Sequence, residues 1–230
     1  MADYWTYLEM KTKVKNDTDT QSETFVSEPE LLGFFNEAID EIEKEVHKLN
    51  EDYFLTSAPL TLVSGTEEYA LPSNIYAMKI RGIVYRKNSE VWPVKRLRDW
   101  HKLENYEFNK TTSGGYQLYN YLVKNSVAGA PRIVITPVPT ESGAYMQVWF
   151  IRAANKLTGN TDVCDIPEAA NFIMQYVKCK IYEKEHNPML QKASADLAEM
   201  RANVLSGLAE KTPDNATEIE PDFSYYNDMV

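Results

Sequence analysis

Apolar residues toward both ends of the chain recur at helical spacing, and the stretch between them alternates as strands do. Leu31, Phe35, Ala38, Ile42, Val46 and Leu49 step by four and three, so they share one helix face that must be buried. Phe172, Met174, Val177, Ile181 and Tyr182 form a second such pattern. Leu190, Leu197, Met200, Val204 and Leu208 form a third. Asn187-Pro188 separates these two, because the residue before proline disfavours helix. A shorter amphipathic helix is predicted over residues 3–15. Trp5, Leu8, Thr12 and Lys15 mark one side of it, and Tyr4, Tyr7 and Val14 widen the band.

Start and stop signals bound these helices. Asn16 to Ser22 is polar and without period, hence a loop. Ser27-Glu28-Pro29-Glu30 reads as a capping box with proline in the first turn, and Asn50-Glu51-Asp52 ends that helix after Leu49. Pro167 opens the next helix, with Asp165 or a neighbour as its cap, and that helix runs to Glu185 or His186.

The β region begins near Phe54. Leu60 to Val63 and Glu68 to Leu71 flank Ser64-Gly65-Thr66, the pattern of a hairpin. Met78 to Tyr85 predicts a long strand, turned at Lys87-Asn88-Ser89 into Val91 to Val94. Pro93 suits an edge or a strand end. Leu97, Trp100, Leu103 and Tyr106 step by three, which is more helix-like, and Ser113-Gly114-Gly115 is a flexible break. Tyr116 to Lys124, Arg132 to Thr136 and Tyr145 to Arg152 complete the sheet. The fold class is α+β: a helical bundle from the N- and C-terminal helices (residues 1–55 and 160–211), an inserted antiparallel β domain (56–159) and an extended C-terminal arm (212–230).

Composition narrows this reading. A chain of 230 residues can bury a real core. No run approaches the ~18 apolar residues of a membrane span, and the first residues lack the basic-then-apolar order of a secretory signal. Cys164 and Cys179 are too few for a disulfide framework and read as small buried apolar residues of a protein made in a reducing cytoplasm.

The formal net charge of -10 argues against a surface that wraps nucleic acid, which needs Lys and Arg to neutralise phosphate. The charge is uneven. Lys79, Arg81, Arg86, Lys87, Lys95, Arg96, Arg98 and Lys102 crowd one β segment against only Glu90 and Asp99. Beyond Pro213 come Asp214, Glu218, Glu220, Asp222 and Asp228 with no Lys or Arg. That acidic segment also carries Phe223, Tyr225, Tyr226 and Met229, more aromatic than a disordered tail usually is. Arg81, Arg86, Lys95, Arg96, Arg98, Phe223, Tyr225 and Tyr226 are therefore the candidate residues for a contact between copies or with a partner. The plainer alternative is two solvated faces and a floppy end.

No catalytic motif is visible. His47, His101 and His186 have no second His or Cys at metal-ligand spacing, and His47 and His186 sit near helix ends, where an exposed imidazole is ordinary. Asp17-Thr18-Asp19 lacks the glycine and closing glutamate of a calcium loop. Asp162 and Asp165 flank Cys164 and read as caps more readily than as metal ligands. A glycosidase-like carboxylate pair is not legible in sequence, because its members meet only in space. Tyr119 and Tyr121 share a strand face near Tyr116 and suit a packed sheet, a subunit contact or stacking on a sugar or base. No cofactor or metal is expected.

The order of the parts carries a resemblance. It lies in Glu30 to Ile42, with Asn36-Glu37-Ala38 at its centre. It continues in Val63-Ser64-Gly65-Thr66-Glu67-Glu68-Tyr69-Ala70-Leu71-Pro72, in Ile135-Thr136-Pro137-Val138-Pro139, and in Phe150-Ile151-Arg152 ahead of Asp165-Ile166-Pro167. Over residues 4 to 210 this resembles the head-to-tail adaptor (connector, or head-completion) proteins of tailed bacteriophages. The basic β segment and the aromatic tail lie outside that pattern. The resemblance implies a homo-oligomeric ring, often of twelve copies, below the portal protein. It implies a DNA channel without sequence recognition, a docking surface for a tail or nozzle protein, a place in the virion, and no catalysis. The competing classes are a tail or baseplate module that binds a receptor or carbohydrate, and an enzyme such as a wall hydrolase or nuclease.

Overall fold

The computed structural model describes residues 4–20, 25–87, 90–98, 119–125, 131–140 and 142–210. The C-terminal arm, the helix-like run ending at Tyr106, His101 and the turn at Asn88-Ser89 lie outside these residues. The elements are α1 (Tyr7–Asp17), α2 (Glu28–Leu49), β1 (Leu55–Thr61), β2 (Glu68–Ala70), β3 (Ile75–Lys87), β4 (Glu90–Arg96), β5 (Asn120–Asn125), β6 (Pro131–Thr136) and β7 (Tyr145–Arg152). After a short 3-10 turn at Pro167–Ala169 come α3 (Ala170–Lys184) and α4 (Leu190–Glu210). The class is α+β. Contacts divide the chain into two units, one from Met1–Glu51 and Ala154–Val230 and one from Asp52–Ala153.

In the helical unit α3 is the central element. Phe172, Ile173, Met174, Val177 and Ile181 are all buried, the all-round burial of a helix enclosed by others. It packs against α1, α2 and α4. Buried Gln175 donates its side-chain amide to the Ala193 carbonyl at 3.0 Å, so the polar group costs little. The α2 stripe is buried as its spacing requires at Leu31, Phe35, Ala38, Ile42 and Val46, whereas Leu49 is exposed at the helix end. Asn187-Pro188 separates α3 from α4 as expected.

Four local expectations for this unit need correction. Helix α1 buries Tyr7, Met10 and Val14 and leaves Leu8 exposed, because Tyr7 meets the Phe35 ring edge-on at 5.3 Å. It also extends to Asp17, into the stretch read as loop. Its capping box is Thr6 with Glu9: Thr6 Oγ1 accepts the Glu9 N–H, and the Glu9 carboxylate accepts the Thr6 N–H. At Ser27 the side chain makes no capping bond; the Glu30 carboxylate still acts on the Ser27 backbone N–H but is held chiefly by the Lys184 ammonium, with both oxygens at 2.7 Å. Nor does Asp165 cap the helix after Pro167; its carboxylate accepts the Asn155 N–H at 2.9 Å.

The sheet of the other unit has the order β1-β7-β3-β4-β5-β6-β2. The expected hairpin between Leu60 and Leu71 is absent: β1 pairs with β7 and β2 with β6. The turn at Gly65 remains, with φ +77, a conformation suited to glycine. It sends the chain from one end of the strand order to the other, so the sheet curls. The sheet is also mixed rather than antiparallel throughout, since β4 and β5 run parallel. A parallel pair needs a crossover of a dozen or more residues, and residues 97–119 supply that length. Strand β3 begins at Ile75, three residues early, and bulges near Ala77 and Met78. Pro93 lies in β4 ahead of the two-residue pairing with β5, where a missing N–H is tolerated.

One face of the curled sheet holds the core, with Leu62, Ile83, Val94, Ile133, Ile135, Met146 and Val148 buried together. Tyr119 and Tyr121 belong to it, and Tyr85 meets Tyr119 with ring centroids 5.0 Å apart. Burial pushes the Tyr121 hydroxyl pKa up. These two tyrosines are therefore packing groups, unavailable for subunit contact or for stacking on a ligand.

Candidate interaction surfaces

The residues that carry the resemblance do structural work in each unit. Asn36 of α2 bonds the Leu157 backbone in both directions: its Nδ2 donates to the Leu157 carbonyl at 3.0 Å and its Oδ1 accepts the Leu157 N–H at 2.9 Å. Two residues on, Ala38 is fully buried. Lys156 adds an ion pair to Asp40. The side chain thereby fastens the loop of residues 155–166 to α2. That loop in turn accepts the first N–H groups of α1, Tyr7 at Asp162 O (2.8 Å) and Leu8 at Asn160 O (3.1 Å), which a helix start leaves without partners. Asp162 holds the loop's own bend, accepting the Thr158 hydroxyl and then the N–H groups of Thr158 and Gly159, and these bonds keep its carboxyl below the usual range.

Tyr69 is the counterpart in the sheet unit. Its hydroxyl accepts the Val63 N–H at 3.0 Å and lies 3.0 Å from the Thr66 carbonyl. It thus closes the Gly65 turn from inside, while Leu71 enters the core and its N–H reaches Pro131 O.

The candidate cations separate in space. Arg81 sits at the β3 bulge, with its Nε 2.6 Å from Asp52 Oδ1. Arg86 and Lys95 belong to the sheet face opposite the core. Arg96 alternates to the other side of β4, where its charge acts on the Tyr121 hydroxyl, and Arg98 is exposed beyond the strand end. Arg86, Lys95, Arg96 and Arg98 form no ion pair among the described residues. Phe223, Tyr225 and Tyr226 lie outside them.

The register defines that outer face. Arg86 stands between Tyr145 of β7 and Val91 of β4, and Val84 between Gln147 and Pro93. Gly82 stands beside Trp149, and Lys95 follows Pro93 on the same side. Tyr145 is 38% exposed, Trp149 40% and Val91 54%. No carboxylate occupies these positions on the three strands, in a chain with 34 acidic residues. Sequence reading found the charge but missed the aromatic half of the surface. The alternation Tyr145, Gln147, Trp149 against buried Met146, Val148 and Phe150 was the available signal.

Chemistry elsewhere is sparse. Among the described residues no three His, Cys, Asp or Glu side chains gather as a metal site would require. Cys164 and Cys179 are buried free thiols; burial pushes Cys164 up to about 11, far from a nucleophile's range. The expected exposed imidazole at His47 is buried instead, with Nε2 3.6 Å from the Glu43 carboxylate, and Glu43 accepts the Ala154 N–H at 2.7 Å. Both extend the α2 stripe at steps of four from Phe35 and Ile39, which is why they turn inward. Asp17, from the calcium-like triplet, pairs with Lys178 at 2.5 Å. A shallow groove of about 250 Å³ in the sheet unit is lined by apolar residues alone, among them Leu60, Leu71 and Val148. No described helix is long and apolar enough to cross a membrane.

Set against known proteins, residues 5–220 match the family model described as SU10 adaptor protein. No curated protein matches the chain.

Proposed function

The chain belongs to the SU10 adaptor protein family, one of phage head-to-tail adaptors, and from that premise we propose that it forms a ring of identical copies below the portal, extending the DNA channel and presenting the surface on which the tail docks. The observation that carries this reading is the use made of the motif residues. Asn36 and Tyr69 fasten loops and Ala38 fills a core, which suits a protein whose product is a shape. The partners in this reading are further copies of the chain, the portal protein and a tail or nozzle protein. DNA passes through without sequence recognition, and a net charge of -10 suits a channel in which DNA must slide. The protein is then a virion component of the neck. A ring requires heterologous contacts, one patch meeting a different patch, and the cations Arg86, Lys95, Arg96 and Arg98 are available for one side of them.

The test is incorporation into particles. Tailed particles assembled with the wild-type chain should contain it at the head–tail junction, and particles assembled without it should be tailless. Deleting residues 213–230 should leave the protein folded and reduce its incorporation. Wild-type incorporation should weaken as salt rises, since Debye screening shortens to ~3 Å at 1 M. Normal tails on particles that lack the chain would overturn the reading.

A further inference from the structure

We propose that the outer sheet face around Trp149 receives the acidic, aromatic C-terminal segment of a second copy of the chain. The idea rests on the adaptor reading only for the presence of neighbouring copies; the complementarity belongs to the chain itself. The face offers Trp149, Tyr145 and Val91 to solvent beside half-buried Arg86 and exposed Lys95, and the buried Arg86 Nε has no acceptor among the described residues. The segment from Pro213 onward carries five carboxylates and no cation, with Phe223 and Tyr225 two apart. In an extended chain those two rings fall on one side. They can then lie on the exposed aromatics while Asp222 and its neighbours meet the cations.

Charge and reach favour a second copy. Copies of a chain with net charge -10 repel one another, and a contact that joins this cation-free acidic segment to the carboxylate-free positions of β3, β4 and β7 reverses the sign locally. The 20 residues after Glu210 can span on the order of 60 Å when extended, enough to cross to a neighbour. The result is a segment-to-face contact, the heterologous kind that closes rings.

The test uses the full chain with a photoreactive p-benzoylphenylalanine at Tyr225. Light- and heavy-isotope forms are mixed, irradiated and digested. Mixed-isotope crosslinks to peptides of β3, β4 or β7 are expected. Their yield should fall about tenfold in Lys95→Glu and in Trp149→Ala, and recover when Lys95→Glu on one form meets Asp222→Lys on the other. Circular dichroism checks folding; if Trp149→Ala fails to fold, the exposed Lys95→Glu exchange still decides. Crosslinks confined to single chains, crosslinks to other peptides, or a yield unmoved by Lys95→Glu would overturn the proposal. Recovery of the protein in tailed particles is read separately, so a failed crosslink leaves the adaptor reading standing, and a failed incorporation sinks that reading alone.

Discussion

Lys11, Lys15, Lys178 and Lys184 of the helical unit each end on a carboxylate, whereas Arg86, Lys95, Arg96 and Arg98 of the sheet unit end on none among the described residues. The apolar surfaces differ in arrangement. The helical unit wraps α3 and leaves Leu8, Phe25 and Met189 exposed on separate stretches of chain, whereas Trp149, Tyr145 and Val91 of the sheet unit share one outer face. These lysines of the first unit are paired within it, and the cations on the face of the second are kept in reserve. Solvent-exposed ion pairs contribute little to stability, typically ~0–1 kcal/mol, so the cations on the sheet can stay unpaired at small cost to the fold. Their value lies in what they can meet.

The largest expected effect separates core from face. Phe35→Ala should cost about 3–5 kcal/mol, as truncation of a buried aromatic does. Trp149→Ala, at a side chain 40% exposed on the outer face, should cost about 1 kcal/mol, the scale of lost cross-strand packing. Urea midpoints measure both, and equal losses would erase the distinction between the surfaces. Next come the loop fasteners. Asn36→Ala, which leaves Leu157 without its two side-chain bonds, should cost about 1–3 kcal/mol, and Tyr69→Phe about 1–2 kcal/mol. A neutral result at either would detach the motif from the fold.

The smallest effect concerns acid. Lys178 holds Asp17 below its ordinary value of 3.8; Lys15 and then Lys11 hold Glu28, and Lys184 holds Glu30, below 4.5. In the sheet unit Glu68 is lowered likewise, chiefly by Lys124. A carboxyl lowered in the folded state contributes stability that is full above its unfolded value and is lost as pH falls through the folded one. Glu9, Glu45 and Asp162 of the helical unit are lowered as well, so acidification below about 4.5 should loosen that unit more than the sheet unit. Amide exchange read on peptides from each unit checks this, and equal loosening would contradict it.

How far the sequence foretold the structure depends on the range of the interaction. Residues at steps of three and four along α2 gave the buried stripe, and Tyr145 to Arg152 gave β7 with its bounds. The partner of β2 was not legible, because Ser64-Gly65-Thr66 specifies a local turn, whereas the choice of β6 over β1 is made by residues more than sixty positions away. The same holds for Glu30, whose local contact with the Ser27 backbone is outweighed by Lys184 on a distant helix. The charge of the interaction surface was visible in the basic run from Lys79. Its division among faces was not, because a bulge at Arg81 and the alternation of β4 decide which cations share a side.

Electron cryomicroscopy of the head–tail junction in tailed particles tests the central claim most directly. The account predicts the chain there as a ring, with the β3, β4 and β7 face around Trp149 covered by protein and the helical unit's ion pairs intact. A ring in which that face lies open to solvent, or a junction without this chain, would contradict it.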